Sequence, residues 1–194
     1  MSAQSSRTTR ADWLAAGLEL LRTGGGDALT LDRLCLAVKR TKGAFYHHFS
    51  DISAYHEALL AHWVHSHTEQ LIADAEGASA QRTRDAATFR RQALYRAVSQ
   101  VDIGVELAIQ AWSLRAANAR AAVAKVHARR IAYLARLRPA SESRARDAEL
   151  EYAIFIGALH LYPDPSDAPQ RRRLQRALGD LLSDGQRRKT ARRS

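Results

Sequence analysis

Much that would narrow the function of this chain is scarce or missing from it. A single cysteine, Cys35, in 194 residues rules out an intramolecular disulfide and fits a reducing compartment. Only four prolines and ten glycines punctuate the chain, so long stretches run without a breaker. Aromatic content of 7% is low for a sheet protein, while Ala, Leu and Arg, all strong helix formers, are abundant. No apolar run approaches the roughly 18 residues needed to cross a bilayer, and Met1 to Arg10 lacks the apolar stretch of a signal peptide, so the expected location is cytoplasmic, with no membrane partner. No phosphate-cradling glycine loop, nucleophile elbow or paired metal-binding motif occurs. His62 and His65 share a helix face, but His67 falls off it and no cysteine is near, so no metal is expected. Catalytic residues and cofactors are likewise not expected, and the chain does not read as an enzyme.

What is present points to helices around a substantial core. Hydrophobic residues make up 46% of the chain, enough for one large domain or a small domain joined to a larger one. The formal charge is +10, yet residues 1–60 hold 7 Lys and Arg against 6 Asp and Glu, and residues 79–138 hold 12 against 3. The excess therefore lies outside the N-terminal segment. It speeds encounter with a polyanion without marking the element that reads one.

The N-terminal segment carries the local signals. Trp13, Ala16, Gly17, Leu20 and Leu21 follow helical spacing and predict a helix over 10–23, ended by Gly24-Gly25-Gly26. Thr30 caps a second helix over 31–38, with Leu31, Leu34, Cys35 and Val38 on one face. Thr41 caps a third over 41–49, where Phe45 and Phe49 share a core-facing side and leave Lys42, Tyr46 and His47 turned elsewhere. Two short amphipathic helices about three residues apart form a helix-turn-helix, whose second member lies in the major groove of DNA. Lys42 is the candidate for a guanine edge and Ala44 for a thymine methyl, while Gly43 lets backbone approach backbone. Thr30, Thr41, Tyr46 and His47 are assigned to phosphates, and His48 joins the DNA-binding set without a defined role. Arg7 and Arg10 are placed where an N-terminal arm touches phosphate or a minor groove.

The run from Trp13-Leu14-Ala15-Ala16-Gly17 through Leu29-Thr30-Leu31 to Lys42-Gly43-Ala44-Phe45-Tyr46-His47-His48-Phe49 resembles the N-terminal domain of the tetracycline-repressor (TetR) family. The likeness covers about the first third of the chain; the remainder is similar only in length and helical layout. Two positions depart from the family pattern. Lys39 and Arg40 stand where a glycine and a small apolar residue are usual in the turn, so either Lys39 takes a positive φ or the turn differs slightly, and Ile52 stands where a phosphate-binding lysine is usual. Lys39 and Arg40 are the candidates to supply that lost charge.

The resemblance implies an all-α protein of about nine helices: a three-helix DNA-binding domain over 1–50, then an effector-binding and dimerisation bundle over 51–185. A basic tail over 186–194 is expected to be disordered. A long helix over 52–75, capped by Asp51, is expected to connect head and body. Further amphipathic helices are expected over 80–100, from Val105 to Ala116, over 119–138, from a Ser141 cap onward, and around Leu174 to Leu182. Candidate lining for a small-molecule effector pocket is Trp63, His67, Phe89, Trp112, His127, Arg130 and Tyr133. The segment around 150–161 is apolar on most of its circumference. Its Tyr152, Phe155, Ile156 and Leu159, with Leu174, Leu178 and Leu181, are the candidate homodimer interface.

These features predict a ligand-responsive regulator, a repressor released from a palindromic operator in double-stranded DNA when an effector binds. The alternative is an all-helical binding or scaffold protein that has lost sequence-specific DNA reading, as the departures at Lys39, Arg40 and Ile52 would allow.

Overall fold

Side-chain caps set where the first helices begin. The computed structural model describes residues 8–78, 86–98, 101–174 and 176–177. Thr9 and Asp12 form a reciprocal capping box that starts α1 (Arg10–Gly24). Thr30 accepts from the Arg33 N–H to start α2 (Leu31–Val38), Thr41 from Ala44 N–H to start α3 (Lys42–Tyr46), and Asp51 from Ala54 N–H to start α4 (Ile52–Val64). A π-helical turn, His65–Glu69, follows α4 directly and leads into α5 (Gln70–Gly77). The remaining helices are α6 (Ala86–Val98), α7 (Ile103–Ser113), α8 (Ala117–Arg136) and α9 (Arg144–Leu161). Among the described residues the regular structure is helical throughout, with nine α-helices.

Several expected boundaries shift. The reader helix is five residues rather than nine, because the chain passes into a turn at His47 and His48. The long connecting helix is not uniform but broken by the π turn. Ser141 does not cap α9. Ser143 precedes it, and its hydroxyl donates to Asp147 Oδ2 at 2.9 Å. The loop before the last helix contains a 3-10 turn, Pro165–Asp167, and helix resumes over 168–174. The expected tail over 186–194 lies outside the described residues.

The chain divides into two compact units, Met1–Ser66 with Gly104–Ala124, and His67–Ile103 with Lys125–Ser194. The expected boundary after residue 50 therefore does not separate them. The first unit keeps α4 because Tyr55, Leu59 and Trp63 are fully buried there with Trp13, Leu21, Leu34 and Phe45. Gly17 is what lets α1 and α4 approach: a Cβ on it would stand 1.8 Å from the Tyr55 hydroxyl, which itself donates to the Trp13 carbonyl at 2.9 Å. Gly26 similarly leaves space for the Trp112 ring of α7, since a Cβ there would be 2.3 Å from Cδ1. His56 sits edge-on to that ring, with centroids 5.3 Å apart, and its Nε2 lies 3.1 Å from the Leu29 carbonyl.

In the second unit α5, α6, α8 and α9 share a core of Ile72, Ala75, Leu94, Tyr133, Leu134, Leu137, Ala148 and Tyr152. Two adjacent arginines on α6 are divided between two carboxylates. Arg90 pairs with Glu76 at 3.0 Å, to which Arg136 also donates at 2.9 Å. Arg91 pairs with the buried Glu151 at 2.5 Å, which is held too by Arg138 at 2.5 Å and by the Tyr95 hydroxyl.

Gly17→Ala drives a methyl into a buried ring held by a hydrogen bond, so it is expected to cost about 1–3 kcal/mol of stability. Tyr55→Phe alone should cost about 1 kcal/mol through the lost bond to Trp13. The double variant should be less destabilised than the two effects summed, because removing the hydroxyl relieves the clash. Denaturant unfolding of all four proteins measures this, and simple additivity would contradict the close approach.

Candidate nucleic-acid interface

Helix α3 is held by its apolar residues and open at its polar ones. Phe45 is 0% and Phe49 4% exposed. Phe45 meets Trp13 edge-on at 5.4 Å, and Phe49 meets Tyr55 edge-on at 4.9 Å. Thr41, Lys42, Gly43, Tyr46 and His47 are exposed and Ala44 is half-buried. A Cβ on Gly43 would meet only Thr41 Oγ1, at 3.7 Å, so no part of the fold requires a glycine there.

The turn before α3 is built at Lys39, which caps α2 in the left-handed region at φ 56°, the first of the two alternatives left open by the sequence. A side chain in that region costs roughly 1–2 kcal/mol, which the cap offsets by satisfying carbonyls at the end of α2. The Lys39 N–H donates to Leu36 O at 3.2 Å and the Arg40 N–H to Cys35 O at 3.0 Å.

Two candidate DNA residues point elsewhere. Arg40 Nε donates to Thr8 Oγ1 at 2.7 Å, and His48 Nε2 lies 3.2 Å from the Thr8 carbonyl, a contact that requires the Nε2–H tautomer. Both side chains are half-buried. Together with Arg10, stacked over the Phe49 ring at 5.1 Å, they fasten the start of the described chain beside α3. Arg40 is thus an anchor for Thr8 rather than an outward cation. Sequence spacing carried no sign of this, because the partners are 32 and 40 residues apart. Arg7 lies outside the described residues. Thr30 and Thr41, although capping, are exposed. Lys42 is also engaged: its Nζ lies 2.7 Å from Asp32 Oδ1 on α2, a partner not anticipated from sequence. Asp32, first through its hydrogen bond and then through its charge, raises the Lys42 pKa. Burial, reinforced by the Asp32 carboxylate, pushes the Cys35 thiol up, away from reactive thiolate.

The candidate effector residues are split. Trp63 and Trp112 belong to the first unit, where Trp63 Nε1 donates to the buried Glu106 at 3.3 Å. Phe89, His67, His127, Arg130 and Tyr133 belong to the second, and there three of them converge. Arg130 donates to Thr68 Oγ1 at 3.0 Å, to Tyr152 OH at 3.2 Å and to His67 O at 3.0 Å, and the His127 ring lies 5.4 Å from that of Tyr152. Tyr133 lies in the apolar core, and Phe89 is half-buried on α6.

The two faces of α9 are exchanged relative to expectation. Tyr152 and Leu159 are 5% and 4% exposed and face inward, with Phe155 and Ile156 packed against the core. Leu150, Gly157 and Leu161 are exposed, and Ile154 is half-buried. Among the other interface candidates, Leu174 is half-buried, and Leu178 and Leu181 lie outside the described residues.

A short capped α3 set beyond a left-handed turn, with its aromatic side buried and its polar side exposed, is a helix-turn-helix of the DNA-binding kind. Residues 14–55 match the family described as bacterial regulatory proteins, tetR family. Residues 14–55 are thus similar to the N-terminal DNA-binding domain of that family. The fold extends the likeness beyond that domain. The reduced form of Escherichia coli NemR superposes with a TM-score of 0.68 at 19% identity, covering 89% of this chain and 96% of that one. A transcriptional regulator from Pseudomonas aeruginosa PAO1, itself described as putative, gives 0.71 at 16% identity over 96% and 98%. No curated protein sequence matches the chain. Among the described residues no helix is long and apolar enough to cross a membrane.

Burial also fixes an alkaline limit for the protein. Tyr95 and Tyr133 are pushed up to about 12, first by burial and then by Glu151 and Glu76 respectively, and burial raises Tyr55 further. Unfolded tyrosines ionise near about 10, so this contribution to stability is complete below that pH and is lost as pH rises through about 12. Tyrosinate absorbance at about pH 11 should leave these three phenols largely protonated while helical content persists. Full ionisation of every tyrosine in the folded protein at that pH would contradict their burial.

Proposed function

We propose that this regulator is a homodimeric repressor in the cytoplasm, bound to a palindromic operator and released by a small-molecule effector. The observation that carries the DNA reading is the division of α3 into a buried aromatic side and an exposed side bearing Lys42, Gly43, Tyr46 and His47. In this reading Lys42 donates to guanine O6 and N7, and Ala44 meets a thymine methyl. Thr30, Thr41, Tyr46 and His47 donate to phosphates and set the register, while exposed Lys39 supplies positive charge at the turn. Arg40 and His48 act indirectly, by holding Thr8 beside α3.

The exposed residues Leu150, Gly157 and Leu161 support dimerisation, since Leu161 is 70% and Leu150 44% exposed and Gly157 leaves room for close helix approach. Engaging successive major grooves would require the two α3 helices of a dimer to lie about 34–36 Å apart. The polar group formed by Thr68, His127, Arg130 and Tyr152 supports an effector site in the second unit, lined by both apolar and donor groups. An effector that favours one conformation of the segment from α4 through the π turn to α5 would shift the population competent for DNA.

Retention of genomic fragments on the purified protein, followed by sequencing, should return a palindrome. On that site Lys42→Ala should cost about 1–3 kcal/mol and relax base preference, whereas Tyr46→Phe should weaken all duplexes alike. Gly43→Ala separates folding from binding: it should stabilise the free protein by about 0.5–1 kcal/mol yet weaken operator binding, as the added methyl meets only DNA. Retention of random fragments alone, or tighter binding by Gly43→Ala, would overturn the reading.

A further inference from the structure

Resting on the reading that α3 enters the major groove, we propose that Asp32 is a specificity-determining residue, a built-in counter-ion that keeps Lys42 from phosphates while leaving it free to read guanine. The pair joins the first turn of α2 to the first residue of α3, with Nζ and Oδ1 2.7 Å apart and the side chains 60% and 78% exposed. An ion pair so exposed contributes little to folding, so stability does not account for it. Its location at the tip of the reader gives it another effect.

A lysine alone is a flexible point charge that satisfies any phosphate it meets. Paired with Asp32, Lys42 belongs to a pair of nearly zero net charge. Its ammonium carries three protons, of which one serves the carboxylate and two remain. Guanine offers two uncharged acceptors, O6 and N7, in the major groove, so those protons can be taken up with the ion pair intact. A phosphate instead brings a second anion beside Asp32, and that repulsion grows as salt is lowered. The carboxylate therefore penalises non-specific contacts more than the guanine contact. Specificity arises here from a repulsive element as well as an attractive one.

The full-length protein is compared with Asp32→Asn, Asp32→Glu and Lys42→Ala, and with Asp32→Asn combined with Lys42→Ala. Each is titrated over a series of salt concentrations with the operator recovered by genomic selection and with a scrambled duplex of equal length. Asp32→Asn is expected to tighten the scrambled duplex about three- to tenfold and to steepen its salt dependence by about one phosphate contact. Operator affinity should rise by no more than about twofold, so the ratio between the duplexes narrows. Asp32→Glu should restore the ratio, and Lys42→Ala should abolish the effect of Asp32→Asn on the salt slope. Matching melting temperatures exclude a folding cause. Equal tightening of both duplexes, an effect that persists without Lys42, or loss of operator affinity with the scrambled duplex unchanged would overturn the inference. A wild-type protein that discriminates while Asp32→Asn leaves the ratio intact defeats the inference alone; a wild-type protein that discriminates nothing defeats the groove reading beneath it.

Discussion

The ring cluster of Trp13, Phe45, Phe49 and Tyr55 is the constraint from which the DNA-binding unit follows. A five-residue helix has no independent stability in water, since isolated helices shorter than about 12–15 residues are marginal. Helix α3 persists because Phe45 is wedged between Trp13 of α1 and Tyr55 of α4, and because Phe49 continues the stack past the end of the helix. The hydrogen bond from Tyr55 to the Trp13 carbonyl, made across the surface of Gly17, fixes the distance between the two flanking helices. What the helix shows to solvent is therefore decided by what its other side buries.

Most of this head was legible in the sequence because its signals are local. Threonine caps, the triple-glycine stop and the left-handed residue at Lys39 all follow from a few neighbouring positions, and α2 occupies the span its spacing predicts. Where the reading failed, the decisive partner was remote or the pattern degenerate. Phe45 and Phe49 keep helical spacing across a turn, so periodicity overstated α3. Both faces of α9 are apolar, so periodicity could not say which of them was inside. Arg40 and His48 read as outward groups until Thr8 is brought to them, and Lys42 as a free cation until α2 presents Asp32.

In the second unit charge serves a different end. The carboxylate of Glu151, 7% exposed as a side chain, is surrounded by Arg91, Arg138 and the hydroxyl of Tyr95, and Glu76 is flanked by Arg90 and Arg136. Four of the basic residues that composition assigns to this region are thus engaged with these two carboxylates. This is why net charge was a poor guide to where a polyanion would be read.

The brevity of α3 also limits vocabulary. In the proposed groove reading, a helix of five residues, one of them glycine and one buried phenylalanine, would offer only a handful of side chains to base edges, and so would spell a very short word. A word that short recurs by chance throughout any bacterial chromosome. If α3 reads bases as proposed, location in a genome would have to be written as a phrase, in the spacing and repetition of words rather than in any single one.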